Sequence, residues 1–353
     1  MYASHAPFGG NVVGIRAAAL KYFNRRPEQL SWAEAALLAV LPNAPALLYP
    51  GKNNTLLKQK RDGLLAKLYR EGVMSEDSYH LALAEPLPEK KFDIPTVAPH
   101  LLAKAYREKK GKVCPTYIDG RLQKKINEIV ERHTALLSQN YIYNMAVLVA
   151  HVPTGEVRAY VGNSAPRKGS RGNDVDIVQA VRSSGSILKP ALYACMLQSG
   201  FILPGTLVPD IPSRFGSYSP SNFNRDFKGV VPARQALAQS LNIPFVRLLK
   251  DYSYARFYDD LKQLGIRSLN RDADHYGLSL ILGGAETSLW DICNLYGGMS
   301  AVLNHYNDRD GQYFDGEYSR LKVWEEYSGA EGQDEEEKNI SADRSVLKAS
   351  AIW

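Results

Sequence analysis

Ser186 and Lys189 stand three residues apart in the segment Arg182-Ser183-Ser184-Gly185-Ser186-Ile187-Leu188-Lys189-Pro190. On a helix, residues at i and i+3 are neighbours, so this spacing can set an amine beside a hydroxyl. A serine hydroxyl is a weak nucleophile until a base takes its proton. A lysine becomes such a base when burial disfavours its charged form. The pattern S-x-x-K is short, and Ser319-Arg320-Leu321-Lys322 and Ser345-Val346-Leu347-Lys348 fit it equally well. A second element, S-x-N, occurs at Ser240-Leu241-Asn242, and also at Ser138-Gln139-Asn140 and Ser268-Leu269-Asn270. Order and context separate these matches. Only Ser186 combines a Gly-Ser-x-x-Lys-Pro setting with an S-x-N further along, whereas Ser319 and Ser345 have none after them. On the residues alone two readings stand: an activated serine, or two solvated serines.

The elements that must position these residues fall into two textures. At 353 residues the chain exceeds one typical core, so two domains are expected. Residues 1–85 predict helices at Val13–Phe23, from Ser31 as N-cap to Leu41, at Leu56–Tyr69 and at Ser75–Ala84. Ser31-Trp32-Ala33-Glu34 fits a capping box, and Pro42 ends its helix. Pro86, Pro88, Pro95 and Pro99 punctuate residues 86–113, which read as a linker. Residues 114–353 mix types. A helix is expected at Asp119–Leu137, then a hairpin of Ala146–His151 and Glu156–Val161 around Pro153-Thr154-Gly155. Helices are expected at Ile187–Gln198, Val231–Leu241, Tyr254–Leu264 and Ser288–Leu303, packed on a sheet. The acidic run Asp334–Glu337 reads as a solvated loop.

Composition narrows the function classes. Hydrophobic residues make up 45% and charged ones 23%, ordinary for a globular protein, and the net charge is +6. The basic run Lys109-Lys110-Gly111-Lys112 is short and no RNA-binding signature is present, so no nucleic-acid partner is expected. Cys114, Cys195 and Cys293 form no C-x-x-C and no metal-ligand spacing, so no metal and no cofactor is expected. The longest apolar run, Ala35–Leu41, is far short of the about 20 residues of a membrane span. No signal peptide is visible.

The serine and S-x-N segments resemble the nucleophile and second motifs of the class A penicillin-binding proteins. Serine acyl-enzyme chemistry joins S-x-x-K, S-x-N and K-T-G in that family and in β-lactamases. The usual proline after the first serine is Ser184 here. Ala236-Leu237-Ala238-Gln239-Ser240-Leu241-Asn242-Ile243-Pro244 is similar to the second motif. Thr116–Gln123 resembles the opening of the transpeptidase domain, and Pro153–Val157 with Val161-Gly162-Asn163 its first hairpin. Tyr218-Ser219-Pro220-Ser221-Asn222-Phe223 and Leu282-Gly283-Gly284-Ala285-Glu286-Thr287-Ser288-Leu289 fit one subgroup especially well. In the first third, His5–Ile15, Leu37–Pro45 and the Lys60–Leu68 helix resemble family 51 glycosyltransferases. The resemblance runs collinearly over nearly the whole chain.

The resemblance implies an α+β protein. A mostly helical, lysozyme-like partial glycosyltransferase domain (1–85) precedes a linker (86–113). A serine β-lactamase-like transpeptidase domain (114–353) follows, without its C-terminal strands. It implies glycan polymerisation from lipid II and transpeptidation of stem peptides ending in D-Ala–D-Ala. Ser186 would be the nucleophile, Lys189 its base, Ser240 the relay to the leaving amine and Asn242 the substrate-amide holder. Whether Lys189 or Ser240 acts first stays open. Glu286 and Asp226 are assigned structural roles. Lipid II, nascent glycan strands, stem peptides, β-lactams and other cell-wall synthesis proteins are the implied partners. The implied location is the inner membrane, through an anchor not found in this sequence, with catalytic domains in the periplasm.

Departures from the family pattern limit this expectation. No E-D-x-x-F-x-x-H motif occurs, and the glutamate of the I-L-E-x-Y segment would fall immediately before Met1, since Tyr2 matches the tyrosine. No K-T-G, K-S-G, H-T-G or R-T-G occurs either. The chain therefore reads as a fragment with both sites incomplete, and its first domain is expected to expose former core. Two other readings compete: a non-catalytic penicillin-binding scaffold, and a D-Ala–D-Ala carboxypeptidase or β-lactamase. The glycosyltransferase-like third argues against the latter.

Overall fold

Local start and stop signals organise the first part of the chain. The computed structural model describes residues 2–9, 11–89, 91–93, 96–166, 168–169, 171–314, 316–325, 340–341 and 345–353. The acidic run Asp334–Glu337 lies outside them. The chain divides into two compact units, Met1–Thr96 and Val97–Trp353.

The first unit is helical: α1 (Ile15–Phe23), α2 (Trp32–Val40), α3 (Asn54–Arg70) and α4 (Glu76–Ala84). Ser31 caps α2 reciprocally. Glu34 N donates to Ser31 Oγ at 3.1 Å and Ser31 N donates to Glu34 Oε2 at 2.9 Å, which satisfies two amides the helix leaves free. Tyr22, Leu37, Leu38, Leu41, Leu48 and Leu57 form the core. Arg61 of α3 is almost fully buried, and its Nη1 and Nη2 donate to the Glu85 and Leu83 carbonyls at the end of α4. A guanidinium there answers carbonyls that have no helical partner. Tyr2, Val13, Leu47 and Leu81 remain well exposed on this unit.

The second unit begins with α5 (Pro99–Glu108), inside the stretch whose prolines read as a linker. Pro99 sits at a first-turn position, where its missing N–H removes no helical bond, and His100 and Leu101 are buried. Helix α6 (Gly120–Leu137) is capped by Asp119, whose Oδ1 accepts from Arg121 N and Leu122 N. Those two bonds hold the Asp119 carboxyl below its usual range. Strands β1 (Val147–His151) and β2 (Glu156–Val161) form the expected hairpin, antiparallel, with a bulge at Val149/Ala150. Gly155 in its turn has φ +69° and lies so close to the Arg320 backbone that a Cβ would meet the carbonyl oxygen.

A side chain completes the other edge of β2. Gln123 of α6, fully buried, accepts from Tyr160 N at 2.7 Å through Oε1 and donates to Tyr160 O at 3.1 Å through Nε2. Its amide thus pairs with Tyr160 as a neighbouring strand residue would.

The rest of the unit is short strands and helices around one core. In order come β3 (Arg182–Ser183), α7 (Lys189–Gln198), β4 (Leu207–Asp210), β5 (Gly229–Pro232), α8 (Ala233–Ala238), α9 (Asn242–Tyr252), α10 (Tyr254–Gln263), β6 (Glu286–Thr287) and α11 (Leu289–Asp308). Leu188, Leu192, Phe245, Leu249, Phe257, Leu261 and Leu295 interlock them. Two expectations shift. The helix read over Val231–Leu241 is only Ala233–Ala238, because Val231 and Pro232 pair with β4. Helix α9 is not among the expected elements, since Pro244 looks like a breaker. It lies in the first turn, where no intrahelical N–H bond is lost.

Replacing Gln123 with leucine keeps the volume and removes both bonds to Tyr160. The variant is expected to lose about 2–4 kcal/mol locally, since two buried backbone groups are left unpaired. Hydrogen exchange at the Tyr160 amide checks this: at least about a tenfold loss of protection is expected, and unchanged protection would refute it.

Candidate active site

The fold gathers Lys189, Ser240 and Asn242 around one buried ammonium. Lys189 is the first residue of α7 and is 1% exposed. Its Nζ donates to Ser240 O at 2.7 Å, to Asn242 Oδ1 at 2.8 Å and to Ser240 Oγ at 3.2 Å. A carbonyl and an amide oxygen can only accept, so they hold two of the three amine positions as N–H. The third faces a hydroxyl, which can accept from an ammonium or donate to a free amine. The arrangement therefore suits both protonation states.

Burial lowers the Lys189 pKa to about 8. Two helix N-termini act in the same direction, because Lys189 begins α7 and its amine reaches the start of α9, where the macrodipole is positive. The ring of Phe245 lies 5.6 Å from Nζ and favours the charged form in opposition.

Backbone geometry explains the S-x-N spacing. Ser240 follows α8 with φ +52°, in the left-handed region. Ser240 N donates to Leu237 O and Leu241 N to Ala236 O, which together make a Schellman helix end. Glycine usually holds that position, and a non-glycine residue there costs about 1 kcal/mol. Leu241 is extended and Asn242 opens α9. One helix end thus delivers the Ser240 carbonyl and hydroxyl, and the next helix start delivers Asn242.

Ser186 sits in the turn before α7 and is half-buried. Its carbonyl accepts from Lys189 N at 3.1 Å. All three Nζ bonds go to Ser240 and Asn242, and none to the Ser186 hydroxyl. The helical expectation from Ile187 is corrected by two residues: α7 begins at Lys189, after a turn with Gly185 at φ +56°. This turn is clamped by residues that composition does not single out. Ser183 Oγ donates to Gly283 O at 2.7 Å, Ser184 N to Ala285 O at 3.0 Å, and Tyr296 Oη to Ile187 O at 2.7 Å. β3 pairs with β6, so the Leu282–Leu289 segment is the cradle of the Ser186 turn. Glu286 lies in β6, exposed, and Asp226 offers its carbonyl to Asn222.

The competing matches are not assembled this way. Lys322 and Lys348 are exposed, Ser319 Oγ donates to Gly316 O, and Ser345 Oγ donates to Leu347 O. Ser138 Oγ donates to Ala135 O, and Ser268 Oγ is buried without a partner.

Comparison with known proteins agrees with the architecture. The chain belongs to the penicillin-binding proteins: residues 1–69 match the transglycosylase family and residues 145–300 the penicillin binding protein transpeptidase domain. The particular relative that its sequence resembles well is penicillin-binding protein 1C of Escherichia coli. Identity is 34% over 296 residues, covering 84% of this chain and 38% of that protein. Penicillin-binding protein 1F of Bacillus subtilis is 28% identical over 306 residues, 81% of this chain and 41% of that one. The chain thus spans about two fifths of the length of these relatives. The crystal structure of penicillin-binding protein 1A from Haemophilus influenzae superposes with a TM-score of 0.54 at 17% identity, over 84% of this chain and 60% of that one, a likeness of fold. Among the described residues, no helix is long and apolar enough to cross a membrane.

Gly283 is where the cradle presses closest on the Ser186 turn. It has φ +101°, and a Cβ there would lie 2.5 Å from Ser183 Oγ and 2.9 Å from Gly185 N. Gly283→Ala is expected to cost about 1–3 kcal/mol and to expose the Ser184 amide. Exchange protection of that amide should fall at least about tenfold while the Tyr160 amide stays protected. Equal protection at both sites in variant and parent would contradict the cradle.

Proposed function

We propose that the 97–353 unit is the acyl-serine half of a peptidoglycan synthase, with Ser186 as nucleophile and Lys189 as its base. The observation that carries the reading is the buried Lys189 amine, held by two obligate acceptors with its third position towards a hydroxyl. Ser186 Oγ attacks the penultimate D-Ala carbonyl of a stem peptide and its proton passes to Lys189. Ser240 carries that proton to the leaving D-Ala nitrogen as the C–N bond breaks, and Asn242 helps hold the substrate amide. The amine of a second stem peptide then attacks the ester, gives up a proton and frees Ser186. A β-lactam forms the same ester, with its leaving nitrogen still tethered.

The 1–69 region supports assigning the first unit to peptidoglycan glycosyl transfer, with lipid II and nascent glycan as its substrates. That pairing also separates the protein from a free-standing β-lactamase or carboxypeptidase. The boundaries we propose are a glycosyltransferase part over 1–85, a connecting stretch over 86–113 whose helix α5 packs within the second unit, and a transpeptidase part over 114–353. The proposed setting is the periplasmic face of the inner membrane, among other cell-wall synthesis proteins.

Long incubation with a penicillin, followed by peptide mass spectrometry, tests the reading. An adduct on the peptide carrying Ser186 is expected, and none in Ser186→Ala. Lys189 must be a free base, so the rate should rise with pH through about 8 and level off above it. At two pH units below that midpoint it should be roughly a hundredfold slower. Lys189→Met should slow it by about 10²–10⁴. Full labelling of Ser186→Ala, or no adduct on folded parent protein at pH 9, would overturn the assignment.

A further inference from the structure

The helix that presents Asn242 has no cap of its own. Its N-cap residue, Leu241, carries no polar side chain, and the first turn of any helix leaves backbone amides without partners. A distant asparagine supplies what is missing. Asn222 Oδ1 accepts from Asn242 N at 2.9 Å and from Ile243 N at 3.3 Å. Asn222 Nδ2 donates to Asp210 Oδ1 at 2.7 Å and to Asp226 O at 2.9 Å. Asn222 is 5% exposed and Asp210 0%. The second carboxylate oxygen of Asp210 accepts from Lys228 N at 3.0 Å.

The same loop also sets which way the Asn242 amide points. Asn242 Nδ2 donates to Ser221 O at 2.9 Å. With the nitrogen end committed to the residue before Asn222, the oxygen end is the one that meets Lys189 Nζ. Asp210 in turn fixes the sense of Asn222. A carboxylate can only accept, so Asn222 must turn its NH₂ to Asp210 and its oxygen to α9.

We propose that Asn222, oriented by Asp210, is a positioning residue that holds Asn242, and through it the Lys189 amine, in working geometry. The proposal rests on the acyl-serine reading of Ser186 and Lys189. It gives the Tyr218–Phe223 segment a role that the four motif residues leave unexplained. Neither Asn222 nor Asp210 touches the reacting atoms. They act by removing freedom from groups that do, and a misplacement of about 1 Å at such groups can cost about a hundredfold.

The test uses the full chain and two independent readouts. The first is the pH profile of Lys189 labelling by an amine reagent, followed by mass spectrometry of its peptide, which needs no β-lactam. The second is penicillin acylation of Ser186, resolved into a binding constant and an acylation rate. Asn222→Ala is expected to lower the Lys189 labelling midpoint further, because a displaced Asn242 oxygen no longer stabilises the buried ammonium. It should also slow acylation roughly tenfold to a hundredfold with the binding constant unchanged. Asn222→Asp keeps an acceptor for α9 but sets two carboxylates against each other, and should show the same defects. The double variant Asn222→Asp with Asp210→Asn restores a donor opposite an acceptor, and should recover most of the lost rate. Asn222→Asp and the double variant both keep an acceptor for α9, so unfolding of Asn222→Ala does not remove the test. Unaltered Lys189 labelling in folded Asn222→Ala, or a double variant no better than Asn222→Asp, would overturn the proposal. Absence of any Ser186 adduct in the parent, with the labelling midpoint still moved by Asn222→Ala, would instead overturn the acyl-serine reading alone.

Discussion

The burial of one ammonium organises the second unit. A lysine amine removed from water needs acceptors, and Lys189 takes all of its acceptors from a single junction, the end of α8 and the start of α9. That requirement ties α7 to α8 and α9, elements that are far apart in sequence, and Leu192, Phe245 and Leu249 pack behind it. The sign of the energetics follows from the lowered pKa. An unfolded lysine near 10.5 binds more protons than the folded one wherever the pH lies between about 8 and 10.5, so this group's contribution to stability improves as pH rises across that window. Below about 8 both states are charged and the burial penalty stands in full. The Lys189 amine is buried at the expense of stability at neutral pH.

Two halves of the site are built by different devices. The Ser186 turn is clamped from outside, by Ser183 on Gly283, by Ala285 on Ser184 and by Tyr296 on Ile187. The Ser240–Asn242 junction is set by its own backbone, through the Schellman bonds, and by the borrowed cap from Asn222. Lys189 belongs to both, through its backbone bond to Ser186 and its side-chain bonds to Ser240 and Asn242.

Wherever a signal is local, the sequence is a good guide. Ser31 with Glu34, Asp119 before α6, and Pro153-Thr154-Gly155 between two β-rich runs each announce an element, and the structure places those elements there. The meeting of Lys189 with Ser240 and Asn242 is legible through the S-x-x-K and S-x-N segments and their resemblance to known motifs, whereas the helix-face reading of Ser186 and Lys189 gives way to a turn. What cannot be read depends on distant partners. Pro244 and Pro99 look like breakers, and only the position of each within a first turn makes it compatible with a helix. Strand β4 is hidden because Pro209 interrupts its pattern, and its pairing with β5 shortens the helix expected from Val231. Gln123 and Asn222 carry no motif of their own. Each matters for the backbone groups it answers, and those lie on other elements.

Ser240 illustrates how geometry and chemistry can share one short pattern. A left-handed residue closes one helix, an extended residue redirects the chain, and the next residue opens another helix. This is close to the tightest way one helix can hand over to a second. The distance between Ser240 and Asn242 is then a property of the helix junction, settled before any substrate is considered. An extra residue at Leu241 would spare both side chains in the sequence yet displace the start of α9 from Ser240 by up to about 3.5 Å. The motif is thus a joint whose length is its tolerance, and the chemistry inherits its precision from the folding of the chain.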